Sequence, residues 1–270
     1  MHSGENEFYI KSTQIQFDIL NTSNIRLRKQ SVYRKMEKKL MEKTFRPWAK
    51  WYTSSKRKFR YEDINIIVNP GVFHPGLFFS TKILLEFISN RELKDKKVLE
   101  LGAGTGLISI YAASQGAQVT ASDINLTAVR NIQENIETNK DRINLNNGCV
   151  GVIHSDLFEA FSDCKFDLIL INPPFFRGEV TSPSQHAWYC GKDLDFFSSL
   201  FKGIKPHLHS STEVYLILSQ DAEIDEIRKL ADENKYHFEL VSQKKNFFET
   251  NYVFKVVLFP GSKGSKEAKT

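Results

Sequence analysis

Between residues 97 and 232, short apolar runs of strand length alternate with segments of helical spacing. That alternation restricts the fold more than any other feature of the chain. The strand-like runs are 97–101, 118–121, 150–153, 166–171 and 213–218, and helical spacing covers 107–115, 126–137, 193–205 and 224–232. A further helix is predicted over 80–90. Strands alternating with helices imply an α/β fold of Rossmann-like, doubly wound type with a mostly parallel sheet. Residues 237–242 and 252–259 read as two more strands forming an antiparallel C-terminal hairpin, which completes a seven-stranded sheet. In such sheets ligands bind in the crevice beyond the carboxyl ends of the strands, so the residues that follow each run are the candidates for function.

The first sixty residues have another character. Residues 1–24 are polar, with weak alternation at 7–10 and 14–17. Between Arg26 and Arg60, fourteen Lys and Arg stand against Glu37 and Glu42, an excess of twelve that leaves the rest of the chain at −7 within a total of +5. From Ser31, an N-cap residue type, apolar side chains at Tyr33, Met36, Leu40, Met41 and Phe45 predict a basic helix that Pro47 ends. Such charge suits a polyanion such as RNA, or an acidic partner surface; a solvated helix face is the alternative. Trp48, Trp51 and Tyr52 either stack on nucleobases or pack on the main domain. The expected organisation is a basic N-terminal helical extension over 1–60, an α/β domain over 61–260 and a disordered Gly/Ser/Lys-rich tail over 261–270.

Several classes are disfavoured. No apolar run approaches the roughly 18 residues of a spanning helix, and the N-terminus has no apolar leader, so no membrane association and a cytoplasmic location are expected. Cys149, Cys164 and Cys190 include no CxxC pair, which fits a reducing compartment better than a disulfide framework or a zinc site. The seven histidines form no HExxH, and no metal is expected; His207 and His209 fall in a polar loop and read as solvent-exposed.

The run at 97–101 ends in Gly102-Ala103-Gly104-Thr105-Gly106 and leads into a helix. Glycines let the backbone approach a ligand closely, and a helix N-terminus favours negative or polar groups. Asp123 lies at the end of the next strand, about twenty residues on, where a carboxylate can bind ribose hydroxyls. Dinucleotide sites favour G-x-G-x-x-G, whereas here Leu107 follows Gly106, and Glu100 stands two residues before the loop. A carboxylate there is poorly placed beside a pyrophosphate and well placed to meet an ammonium group. Residues 61–68 read as a strand and Asn69-Pro70-Gly71 as a turn; the 72–81 segment then forms a candidate lid, with Phe73 and Pro75 as its contacts.

After the run at 166–171 comes Asn172-Pro173-Pro174-Phe175. The prolines hold the backbone extended and offer carbonyls without competing N–H donors. Asn172 adds an acceptor and Phe175 a flat face, a set that can grip a planar NH₂ group and aim its nitrogen at an electrophile.

The segment Glu100-Leu101-Gly102-Ala103-Gly104-Thr105-Gly106, with Asp123 and with Asp156-Leu157 after the third strand, resembles the cofactor motifs of class I S-adenosylmethionine-dependent methyltransferases. The resemblance implies S-adenosyl-L-methionine as cofactor, held by Glu100, Gly102, Ala103, Gly104, Gly106, Asp123, Ile124, Asp156, Leu157 and Asn172, with Phe73 and Pro75 alongside. A Rossmann-like core for another nucleotide is the competing reading. With Asn172-Pro173-Pro174-Phe175 as the catalytic run, the span 73–259 is similar to the HemK-like amino-methyltransferases and the methyltransferase small domain group, and residues 187–197 resemble the segment after that motif more loosely. HemK-type enzymes carry Tyr where this chain has Phe175. Their PRPETE-like segment is matched only by His74-Pro75-Gly76 and Ser80-Thr81, and the basic arm does not resemble their release-factor-binding domain. Phe at the fourth position recurs in enzymes that modify exocyclic amines of RNA bases. The expectation is therefore N-methylation of an exocyclic amine in RNA, with protein glutamine N-methylation as the alternative acceptor and a non-catalytic cofactor-binding protein as the second alternative.

Overall fold

The computed structural model describes residues 54–246 and 249–259. The basic helix expected from Ser31, the Trp48–Tyr52 cluster, the weak alternations before residue 24 and the tail over 261–270 lie outside the described residues.

Two antiparallel strands open the described chain, β1 (Arg57–Tyr61) and β2 (Ile64–Val68). The expected single strand over 61–68 is thus a hairpin. It reverses at Glu62, whose φ of 51° is left-handed, and takes Arg57 to Arg60 out of the basic extension. The helix α1 (Phe79–Ile88) leads to β3 (Lys97–Leu101), α2 (Leu107–Ser114), β4 (Gln118–Asp123) and α3 (Leu126–Thr138). A short α4 (Lys140–Leu145) follows where the sequence reads as loop from 144; it buries only Ile143, too little to leave a periodic signal. Next come β5 (Cys149–His154), β6 (Leu168–Ile171), α5 (Asp195–Gly203), β7 (Glu213–Ser219), α6 (Ile224–Glu233) and the closing strands β8 (Tyr236–Lys245) and β9 (Thr250–Leu258).

The seven strands lie in the order β5-β4-β3-β6-β7-β9-β8, with β9 antiparallel to both β7 and β8 and the other pairs parallel. Alternation along the strands divides the core in two. Val98, Leu168, Leu170, Tyr215 and Ile217 face α1, α2 and the hairpin. Leu99, Leu101, Ile169, Ile171, Leu216 and Leu218 face α5 and α6. Among the described residues no helix is long and apolar enough to cross a membrane.

The hairpin is held by polar side chains. On α3 and its C-cap, Asn131, Asn135 and Asn139 follow at four-residue intervals, a rise of about 6 Å that matches two residues of strand at about 6.7 Å. Their Oδ1 atoms accept the N–H groups of Asn69, Ile67 and Asn65 at 2.9, 2.8 and 3.0 Å. Their Nδ2 groups return hydrogen bonds to the carbonyls of Ile67 and Asn65 at 2.8 Å. The outer edge of β2, which would otherwise bury unpaired backbone groups, is thereby satisfied by a helix.

His207 departs from expectation: it is buried, stacked 4.6 Å from the Phe158 ring at 11°, with Nδ1 2.8 Å from the Cys164 carbonyl oxygen. Its ring fills the side of the sheet where residues 155–165 run as turns rather than as a helix. His209 meets Asp167 at 3.1 Å.

Gly148 enters β5 against α2, and a Cβ there would lie 1.9 Å from the backbone oxygen of Ala113. Neither backbone can yield cheaply. Gly148→Ala is expected to destabilise the fold by about 1–3 kcal/mol, read as a lower urea midpoint at unchanged m-value.

Candidate active site

The topology reverses direction between β3 and β6. From β3 the chain moves through β4 to β5, then crosses back to β6 on the other flank. Leu101 pairs with Ile171, so Gly102 and Asn172 leave adjacent strands, about 4.8 Å apart, at the same level. Leu101 also pairs with Ser122, and Asp123 with His154, which brings Asp123 and Asp156 to the same rim. The glycine loop, both acids and the Asn-Pro-Pro-Phe run are thus together at the switch point, where open α/β sheets bind ligands.

The loop is built from backbone bonds. The N–H groups of Gly102 and Ala103 donate to the Ser122 carbonyl at 2.8 and 2.9 Å, and that of Gly106 to Ala103 at 2.8 Å. Gly106 caps α2 at a φ of 76°, and a Cβ there would come within 2.9 Å of Ile132. Its left-handed backbone and its packing on α3 both require glycine.

Asp123 is half-buried. Its Oδ2 accepts the Gly104 N–H and its Oδ1 the Asn125 N–H, both at 2.8 Å. Burial pushes its carboxyl up, while these two N–H groups and the neighbouring His186 and His154 oppose the rise. Each oxygen carries one N–H and keeps acceptor capacity for a hydroxyl.

Glu100 follows a different course. Strand alternation turns it toward α2 and leaves it 4% exposed. Its Oε2 accepts the Ser109 N–H at 2.8 Å and also the Ser109 hydroxyl. Burial raises the Glu100 carboxyl to about 8, against the pull of both Ser109 bonds and with a further push from Asp123. The carboxyl expected to face an ammonium group is therefore anchored to the first turn of α2. Ser109 gives no signal of this in the sequence.

Asn172 shares the parity of Leu168 and Leu170 and so points toward α1, where its Nδ2 lies 3.4 Å from the Thr81 hydroxyl. Phe175 and Phe176 follow with ring centroids 4.7 Å apart. The loop then folds back on itself: the Phe176 N–H donates to Trp188 at 3.1 Å, and the Cys190 N–H to Phe176 at 2.9 Å. Trp188 lies 4.9 Å from Phe78 and 5.6 Å from Phe73, which stack on each other at 4.9 Å. A Cβ on Gly104 would sit 3.7 Å from the Phe73 Cβ, so this aromatic trio borders the glycine loop. Pro75 is buried just beyond, while Ile124 is half-buried at the end of β4, beside the exposed Asp156 and the half-buried Leu157 after β5. Trp188 has no site signature of its own in the sequence.

Residues 63–247, which hold the glycine loop, both acids and the Asn-Pro-Pro-Phe run, match the model of the methyltransferase small domain. The chain belongs to that family. It is 41% identical over 116 residues to a Methanocaldococcus jannaschii protein named as a protein N5-glutamine methyltransferase, covering 42% of this chain and 52% of that one. To the ribosomal RNA small subunit methyltransferase C of Citrobacter koseri it is 29% identical over 195 residues, 70% of this chain and 49% of the other. Among solved structures, the 16S rRNA N2 G1207 methyltransferase of T. Thermophilus, in complex with AdoMet and guanosine, shares the fold at a TM-score of 0.56 and 22% identity, covering 76% of this chain and 50% of that one. The chain spans about half the length of these relatives. Among the described residues no group of three or more His, Cys, Asp or Glu side chains could hold a metal ion.

The Glu100 carboxyl predicts a pH dependence. Its folded value of about 8 lies above the ordinary carboxylate range, so through the window from about pH 5 to 8 the folded chain holds a proton that the unfolded chain has released. Stability contributed by that proton falls as pH rises, by up to about 1.4 kcal/mol per pH unit. In urea unfolding across that window, Glu100→Gln should show a flatter decline than the wild type.

Proposed function

We propose that this chain transfers a methyl group from S-adenosyl-L-methionine to a planar amino nitrogen, most fittingly the exocyclic amine of a base in RNA. The observation that carries the reading is the Leu101–Ile171 pairing, which sets the glycine loop and the Asn172 run side by side. The donor set fits the cofactor: Asp123 has acceptor capacity for two ribose hydroxyls, Asp156 suits the adenine amine, and Ile124 and Leu157 flank that position. Gly102, Ala103, Gly104 and Gly106 give close backbone approach, with the half-buried Phe73 beside Gly104 and Pro75 buried just beyond. Glu100, buried beneath, favours a nearby ammonium group, which would draw its carboxyl toward the ionised form. When bound, S-adenosylmethionine supplies an electrophilic methyl on a sulfonium.

The chain's own part is positioning. The lone pair of a base amine is delocalised into its ring, which makes the nitrogen a poor nucleophile. The Asn172 side-chain oxygen and the Pro173 carbonyl accept its two hydrogens and favour pyramidalisation, and Pro174 keeps the run extended. The bond of Asn172 Nδ2 to Thr81 leaves Oδ1 for the amine. Phe175 offers a stacking face. Orientation of this type supplies up to about 7–11 kcal/mol at its ideal limit.

A base in RNA is favoured by Phe175 beside Phe176 and by the charge of the 26–60 arm, which supplies a counterpart for a polyanion. A protein glutamine is the second reading, supported by the similarity to the Methanocaldococcus jannaschii protein. A cytoplasmic enzyme fits either. Labelled cofactor incubated with fractionated RNA and protein separates them by the fraction that takes up the label.

Asn172→Ala is expected to lower methyl transfer by at least about a hundredfold while cofactor affinity, by calorimetry, changes little; turnover near that of the wild type removes Asn172 from the mechanism. Charge reversal at Lys35, Lys38 and Lys39 should weaken RNA binding and flatten its salt dependence. An unchanged salt slope in filter binding assigns these lysines to a solvated face.

A further inference from the structure

The Ser109 N–H is one of the first-turn donors of α2 that have no partner within the helix, and it goes to Glu100. The Thr105 carbonyl, in a residue 3% exposed between Gly104 and the N-cap Gly106, lies outside the helix and needs a donor of its own. It takes Nδ2 of Asn135 at 2.9 Å. The second Nδ2 hydrogen of Asn135 goes to the Ile67 carbonyl and its Oδ1 accepts the Ile67 N–H, both at 2.8 Å. The amide is fully occupied, fully buried, and bonded at once to the glycine loop and to the hairpin. Its two ladder neighbours are chemically alike but differ in reach. Asn131 bonds to Asn69 and Ile67, and Asn139 to Asn65 and the Asn135 carbonyl. Among the described residues, of the three only Asn135 reaches the loop.

We propose that Asn135 is a positioning residue for the cofactor loop. By fixing the Thr105 carbonyl it fixes the peptide shared with Gly106, whose N–H closes the loop on Ala103 around the Gly104 N–H that holds Asp123, and it makes the loop's geometry depend on where β2 is seated. The proposal rests on the reading of that loop as the S-adenosylmethionine cradle. The hairpin leads through Asn69, tied to α3 by Asn131, to Phe73 beside the loop, so one continuous segment carries both the strand bonded to Asn135 and a residue that borders the cradle.

The test compares two variants of the full chain with the same chemical change. Asn135→Asp keeps an acceptor for the Ile67 N–H but sets an oxygen against the carbonyls of both Thr105 and Ile67; Asn131→Asp makes the same exchange on the same helix against the Ile67 carbonyl alone, without touching the loop. S-adenosylmethionine affinity is measured by calorimetry alongside the urea midpoint. The larger loss of midpoint is expected for Asn135→Asp, which forfeits two donated bonds against one; among chains still folded, cofactor affinity should be about tenfold weaker in Asn135→Asp, the scale of one hydrogen bond, and within about twofold of wild type in Asn131→Asp. Equal changes in affinity, or none in either, overturn the proposal. Hydrogen exchange on the wild-type chain decides independently of whether the variants fold: saturating cofactor should slow the Ile67 amide in step with those of Gly104 and Gly106, and an unmoved Ile67 amide is the contrary result. A wild-type chain that binds no S-adenosylmethionine instead removes the cofactor reading, and the proposal with it.

Discussion

The parallel pairing of β3 with β6 is the contact on which the site depends. Neither strand is long, but each has a neighbour on both sides and places hydrophobic side chains in both layers of the core. Because Leu101 is held opposite Ile171, two loops separated by seventy residues of chain begin side by side. A shift of this pairing by one residue would exchange Leu168 and Leu170 with Ile169 and Ile171 between the layers and turn Asn172 away from Thr81. The register thus fixes the geometry of the rim.

Above that rim the structure relies on polar groups bonded away from solvent. Glu100 accepts a first-turn N–H that has no partner within α2, and α3 supplies the Thr105 carbonyl, just outside that helix, with a donor through Asn135. Buried polar groups in such a chain are costly when any one partner is missing and rigid when all are present. The same helix carries the asparagine ladder that seats β2, which makes α3 the common support of the hairpin and the glycine loop. Glu100 itself is the one member of this network whose charge state depends on pH near neutrality, with its carboxyl raised to about 8 by burial.

Much of this was legible in the residues. The five parallel strands and the antiparallel closing pair follow from apolar runs of strand length, and the glycine loop and Asn172 run stand out because glycine and proline restrict the backbone in ways that few other residues reproduce. Other features were not. Residues 61–68 read as one strand because nothing marks Glu62 as left-handed, and Arg57–Arg60 read as part of the basic extension because charge masks their pairing with β2. His207 reads as a surface residue because its local sequence is polar; its burial comes from Phe158, distant in sequence. Ser109 and Asn135 are common residue types whose importance comes from what they touch.

The sequence by itself determined the α/β class, the order of the strand-forming segments and the position of the glycine loop and the Asn172 run at strand ends, because periodicity and the backbone limits of Gly and Pro are local properties. Only the tertiary structure decided that Glu100 is turned under the loop toward Ser109, and that Asn172 is held by Thr81. It alone made three asparagines spaced along one helix serve as the missing edge of a strand. Those outcomes rest on strand register and on pairing between groups far apart in the chain, which no local pattern encodes.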